Sequence, residues 1–133
     1  MTPIHKAAIV LPWLALCCGC ATHAPASGGE RFVSTVPLAN GMVCVVAEGD
    51  LEPRSIGTYS VRVYRDLHVG DYIAGAIQRR DGFVRRAYRG SPDGSGRDVI
   101  AVEVETAGSG RYAHAETFVF DASARAVRPT GAE

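Results

Sequence analysis

From Arg31 onward one pattern repeats: short stretches of alternating apolar and polar side chains, broken about every ten residues by Gly, Pro, Asp or Asn. A period of two sends successive side chains to opposite faces of a strand, and nowhere is the 3.6-residue period of an amphipathic helix sustained. Such a chain buries its apolar side chains between sheets. Phe32 to Val36 and Met42 to Ala47 read as an opening hairpin around Asn40-Gly41. Tyr59-Ser-Val-Arg-Val-Tyr64 alternates cleanly, with Tyr59, Val61 and Val63 on one face and Ser60, Arg62 and Tyr64 on the other. Asp71 to Arg79 and Phe83 to Arg89 flank Arg80-Asp81-Gly82, which reads as a second hairpin turn. Asp98 to Glu105 places Ile100, Val102 and Val104 inward and Ala101, Glu103 and Glu105 outward. Ala115 to Phe120 and a short stretch at Ala126 to Arg128 complete the set. Seven or eight short strands in roughly a hundred residues predict an all-β domain, a single antiparallel sandwich or flattened barrel. The competing architecture is a mixed α+β domain with a short helix near Tyr72 to Gln78.

The first thirty residues do not share the pattern. Lys6 precedes an apolar run, Ala7 to Leu16, too short to span a bilayer and followed by Cys17-Cys-Gly-Cys20, the layout of a secretory signal. Leu16-Cys-Cys-Gly-Cys20 resembles a lipoprotein cleavage box with a small residue, Gly19, before the cysteine, so residues 1–19 are expected to be signal and Cys20 the lipidated N-terminus of an exported, periplasmic, membrane-anchored protein. The alternative is a plain signal peptide cut near Ala24-Pro-Ala26. Residues 20–30, small and poor in apolar side chains, read as a tether, and residues 31–133 as the β domain.

Export leaves Cys44 as the single thiol of the domain, so no disulfide can form within it. It lies in Met42-Val-Cys-Val-Val46 without a cation to lower its pKa and reads as a small core residue. Charge excludes more. The whole chain holds 14 Lys and Arg against 14 Asp and Glu, and a nucleic-acid binder needs a basic excess. Only His68 and His114 remain as imidazoles of the domain, far apart in sequence and in no zinc-ligand spacing, so neither metal nor cofactor is expected. Ser91-Pro-Asp-Gly-Ser-Gly-Arg-Asp98 has the outline of a calcium loop, but Ser95 and Arg97 stand where carboxylates are needed. Gly94, Gly96, Gly108 and Gly110 lack a P-loop lysine or a strand-to-helix setting and read as hairpin glycines.

Gly108-Ser-Gly-Arg-Tyr112 differs from the other turns. It carries a hydroxyl, a guanidinium and a phenol within four residues, on a loop that its glycines allow to project. Together with Val46-Ala-Glu-Gly-Asp50, Arg54-Ser-Ile-Gly-Thr-Tyr-Ser-Val-Arg-Val-Tyr64 and Arg80-Asp-Gly82, the Ser109-Gly-Arg-Tyr112 segment resembles the Ser-Gly-x-Tyr motif of the bacterial periplasmic inhibitors of invertebrate-type lysozymes, over roughly Phe32 to Phe120. The resemblance implies a β-sandwich that inserts this loop into the active-site cleft of a lysozyme and so protects peptidoglycan. On that basis Ser109 and Tyr112 are expected to reach the catalytic carboxylates, Gly110 to permit close approach, and Arg111 to pair with acids of the cleft or its rim. The chemistry is consistent, because a lysozyme cleft binds sugar hydroxyls beside two carboxyl groups, and Ser and Tyr hydroxyls satisfy the same partners.

Two other functions fit parts of the sequence. One is a structural or envelope-binding lipoprotein of the same fold that inhibits nothing. The other is a hydrolase using Glu48, Asp50 or Glu52 with His114, which requires those groups to meet in one pocket. Exposed strand edges would also permit a homodimer. Cleavage at Cys20 leaves 13 basic and 14 acidic residues, a net charge of minus one. Recognition of a lysozyme would therefore rest on shape and hydrogen bonds rather than on bulk charge.

Overall fold

The structure, a computed structural model, describes residues 30–131. The expected signal, Cys20 and most of the tether lie outside the described residues. Eight strands follow in order: β1 (Val33–Pro37), β2 (Val43–Glu48), β3 (Ile56–Asp66), β4 (Asp71–Asp81), β5 (Phe83–Arg89), β6 (Asp98–Glu105), β7 (Ala113–Asp121) and β8 (Ala126–Pro129). They form two four-stranded antiparallel meanders, β1-β2-β3-β4 and β5-β6-β7-β8. These face each other as an open sandwich, and the segment from Tyr72 to Gln78 is strand rather than helix.

Alternation decides what lies between the sheets. Cys44 and Val46 of β2, Tyr59, Val61 and Val63 of β3, Ile100, Val102 and Val104 of β6, and Phe118 and Phe120 of β7 are all buried in one cluster. Each fully buried side chain of this size contributes about 1.5–3 kcal/mol of hydrophobic stabilisation. The Tyr59 and Phe118 rings meet edge to face across the sandwich, with centroids 6.0 Å apart, and the Tyr59 hydroxyl donates to Glu116. Burial and that carboxylate push the Tyr59 phenol upward, so it stays a neutral donor. Ala101, expected outward, is buried.

Two buried carboxylates tie the layers together. Glu48, at the end of β2, accepts from the Val84 amide of β5 at 2.8 Å and from Arg54 at 2.8 Å, and its Oε1 lies 3.7 Å from Arg80 Nε. At the opposite end Asp98 of β6 accepts from the Ala39 amide and pairs with Arg89 at 2.8 Å.

The second expected hairpin is corrected. β4 pairs with β3 and β5 with β6, so Arg80-Asp81-Gly82 is the corner at which the chain leaves one sheet and enters the other. Gly82 is buried at φ 124. Its amide donates to the Ser55 carbonyl at 2.7 Å. A side chain there would meet the Glu105 carbonyl carbon at 2.7 Å and Thr106 Cα at 2.8 Å. Glycine is required at this crossing by both its dihedral and its space.

Candidate functional site

β6 and β7 are joined by residues 106–112, and this connection holds the projecting loop. Its stem is closed by a reciprocal pair: the Thr106 amide donates to the Tyr112 carbonyl at 2.8 Å, and the Tyr112 amide donates to Thr106 Oγ1 at 3.1 Å. Within it the Arg111 amide donates to the Gly108 carbonyl at 3.3 Å. Residues 107–112 are all exposed, and Tyr112 shows 74 % of its surface to solvent. Neither the Ser109 nor the Tyr112 hydroxyl has a hydrogen-bond partner among the described residues, so both are free to be offered to another molecule.

The Tyr112 ring nonetheless has a seat. A Cβ on Gly110 would come within 2.9 Å of Tyr112 Cζ and 3.0 Å of Cδ2, with Cε2 closer still. The ring edge therefore lies directly over the Gly110 backbone, and glycine serves there by leaving room. Backbone freedom is used one residue later: Arg111 adopts a left-handed conformation, φ 40, which a non-glycine residue takes at a cost of about 1 kcal/mol or more. The structure thus brings Ser109, Gly110, Arg111 and Tyr112 together on one tip. Beside the stem, Arg85 grips Glu105 with two bonds of 2.9 and 3.1 Å. These bonds, with a further contribution from the charge of Arg111, hold the Glu105 carboxyl below its ordinary range.

The residues of the hydrolase reading do not assemble. Glu48 is committed to Arg54, Arg80 and two backbone amides, Glu52 to Thr58, and His114 faces Glu116 at 3.3 Å. No hydrogen bond joins any two of Glu48, Asp50, Glu52 and His114 among the described residues. Cys44 is buried, and burial pushes its thiol up to about 12. In the calcium-like loop the Asp93 carboxylate accepts from the Ser95 and Arg97 amides and from Arg97 Nε at 2.7 Å, so the arginine occupies the place of a cation.

Comparison with known proteins is decided by extent. The model of the family PliI, periplasmic lysozyme inhibitor of I-type lysozyme, matches residues 30–128, nearly the whole described domain. The chain belongs to the PliI family. Among solved structures, Aeromonas hydrophila PliI in complex with Meretrix lusoria lysozyme is 30 % identical, with a TM-score of 0.63, over 74 % of this chain and 81 % of that one. A second structure of PliI from the same organism is also 30 % identical, with a TM-score of 0.64, over 74 % of this chain and 84 % of that one. No curated protein sequence matches it. Two features are not announced by their local sequence: Thr106 as the closure of the stem, and the burial of Arg80 beside Glu48. The available signal was the alternation itself, which carries Glu48 and Arg80 onto the inward faces of β2 and β4, where opposite charges have to meet.

Proposed function

We propose that this chain inhibits invertebrate-type lysozyme by inserting the Ser109–Tyr112 loop into the enzyme's active-site cleft. The domain performs no chemistry of its own. The observation that carries this reading is the loop itself: a closed stem, two unpartnered hydroxyls and an exposed tyrosine ring set against Gly110. A glycan-cleaving cleft holds two carboxyl groups and sugar-binding donors and acceptors, and hydroxyls at this tip match them in kind. Tyr112 supplies a rigid amphipathic anchor of the type that dominates interface energy. Arg111 is directed at acidic groups of the cleft or rim. Because the loop is held by its stem before any partner arrives, less conformational freedom is lost on binding.

The exported protein is retained in the periplasm by a lipid on Cys20, with residues 21–30 as the tether that lets the domain reach its target and protect peptidoglycan. Membership of a periplasmic family and the Gly19-Cys20 sequence support this arrangement. The test is a panel of invertebrate-type and chicken-type lysozymes assayed with the purified protein on peptidoglycan. Inhibition of the invertebrate-type enzyme is expected at micromolar concentration or below, and inhibition of no lysozyme at that concentration would refute the reading. Metabolic labelling with a palmitate analogue tests the anchor: label lost in Cys20→Ala is expected, and an unlabelled wild type would remove it.

A further inference from the structure

The Arg80-Asp81-Gly82 corner has no part in the inhibitory contact described above, yet several polar contacts converge on it. The Arg80 guanidinium is wholly buried beside Glu48. It donates to the Gly82 carbonyl at 2.6 Å, to the Arg54 carbonyl at 2.6 Å, to Pro53 at 3.3 Å and, through Nε, to Thr58 at 3.2 Å. Gly82 in turn donates to Ser55 and lies against Glu105 and Thr106 with no room for a methyl group. Thr106 is the residue whose amide and hydroxyl clasp Tyr112.

We infer that Arg80 and Gly82 are positioning residues for the inhibitory loop: the sheet-crossing corner is the seat against which Thr106, and through it Tyr112, is held in the pose presented to lysozyme. This rests on the loop-insertion reading above. The physical argument is one of adjacency. One of the guanidinium's four hydrogen bonds holds the Gly82 carbonyl while the other three anchor Arg80 to Pro53, Arg54 and Thr58; Gly82 fixes how closely the Glu105-Thr106 backbone approaches, and that backbone sets the plane of the stem. A side chain at position 82 has only backbone to displace, and backbone gives way by moving the stem rather than by a rotamer change.

Gly82→Ala is the direct test, with Gly41→Ala as the control. Gly41 is also left-handed, φ 73, but sits in the β1-β2 turn at the far end with open space around it, so its substitution strains the fold without touching the stem. Gly82→Ala is expected to raise the concentration for half-inhibition by roughly tenfold or more and to speed amide hydrogen exchange at Thr106 and Tyr112, while Gly41→Ala changes neither by more than about twofold. A folded Gly82→Ala with wild-type inhibition and unchanged exchange at those amides would overturn the inference. Should Gly82→Ala fail to fold, native-state exchange of the wild type decides: the amides of Gly82, Thr106 and Tyr112 are expected to open together as denaturant rises, and a Tyr112 that opens freely while Gly82 stays protected would overturn it equally. Tyr112→Ala, run alongside, separates the two readings. Wild-type potency in that variant removes loop insertion, while the exchange data still report whether the corner holds the loop.

Discussion

Gly110→Ala separates inhibition from stability. Gly110 is not among the left-handed residues of the loop, so alanine is compatible with its backbone and stiffens the unfolded chain, which favours folding by about 0.4–1 kcal/mol. The added methyl group, however, falls inside the Tyr112 ring edge. Ordinary contact begins near 3.4 Å, so Cζ, at 2.9 Å, has to retreat by at least 0.5 Å and Cε2 by more. An exposed ring moves at little cost, leaving stability unharmed, but it no longer presents its hydroxyl at the same point. Truncating a central aromatic anchor costs about 2 kcal/mol or more, and displacing it forfeits a large part of that. The expected result is a roughly tenfold weaker inhibition constant, from about 1.4 kcal/mol, with a melting temperature equal to or above wild type. Inhibition of lysozyme-catalysed lysis of cell walls and thermal melting by circular dichroism read the two quantities separately. Wild-type inhibition by a folded Gly110→Ala would refute the argument that the ring's seat matters.

Other outcomes follow from the buried and charged groups. Glu48→Gln removes the carboxylate that faces the buried Arg80 and the partly exposed Arg54; leaving the buried Arg80 cation uncompensated is expected to cost about 3–5 kcal/mol, read as a fall in the denaturation midpoint, and a loss below about 1 kcal/mol would contradict the ion pair's place in the core. Asp121, Asp93, Glu52 and Glu105 hold their charge below the ordinary carboxylate range, Asp121 down to about 2 through bonds from the Ala124 amide and the Ser123 hydroxyl. The unfolded chain therefore binds more protons in acid: the stability these groups lend is complete above their unfolded values near 4 and is lost as pH falls through their lowered folded values, about 2 for Asp121. A melting temperature that rises between pH 4 and pH 2 would contradict that sign. Cys44, with its thiol pushed to about 12, should react with iodoacetamide only after unfolding, as peptide masses would show; rapid labelling of the native protein would place it at the surface instead.

Much of this was readable from the chain, for reasons that differ between elements. Tyr59, Val61 and Val63 declare their burial because strand periodicity is local, and β3 and β6 obey it. The Asp81-Gly82 corner misled because a tight turn and a sheet crossing ask the same thing of local sequence, residues tolerant of positive φ between two strands. What distinguishes them is distant: the Ser55 carbonyl, the Glu105-Thr106 backbone and Arg80 buried beside Glu48. Ser109, Gly110 and Tyr112 stand out by type and spacing, whereas no local pattern marks Arg111, rather than one of the neighbouring glycines, as the left-handed residue. Likewise Asp98 reads as the first residue of a strand, and its grip on the Ala39 amide spans 59 positions that no local pattern connects.

The central claim, that the loop tip is the inhibitory element, is tested most directly by the inhibition constant of Tyr112→Ala against an invertebrate-type lysozyme, measured beside wild type and Ser109→Ala. A rise of roughly thirtyfold for Tyr112→Ala, matching about 2 kcal/mol, with a smaller rise for Ser109→Ala and unchanged melting temperatures, is the predicted result. Wild-type potency in both folded variants would contradict it.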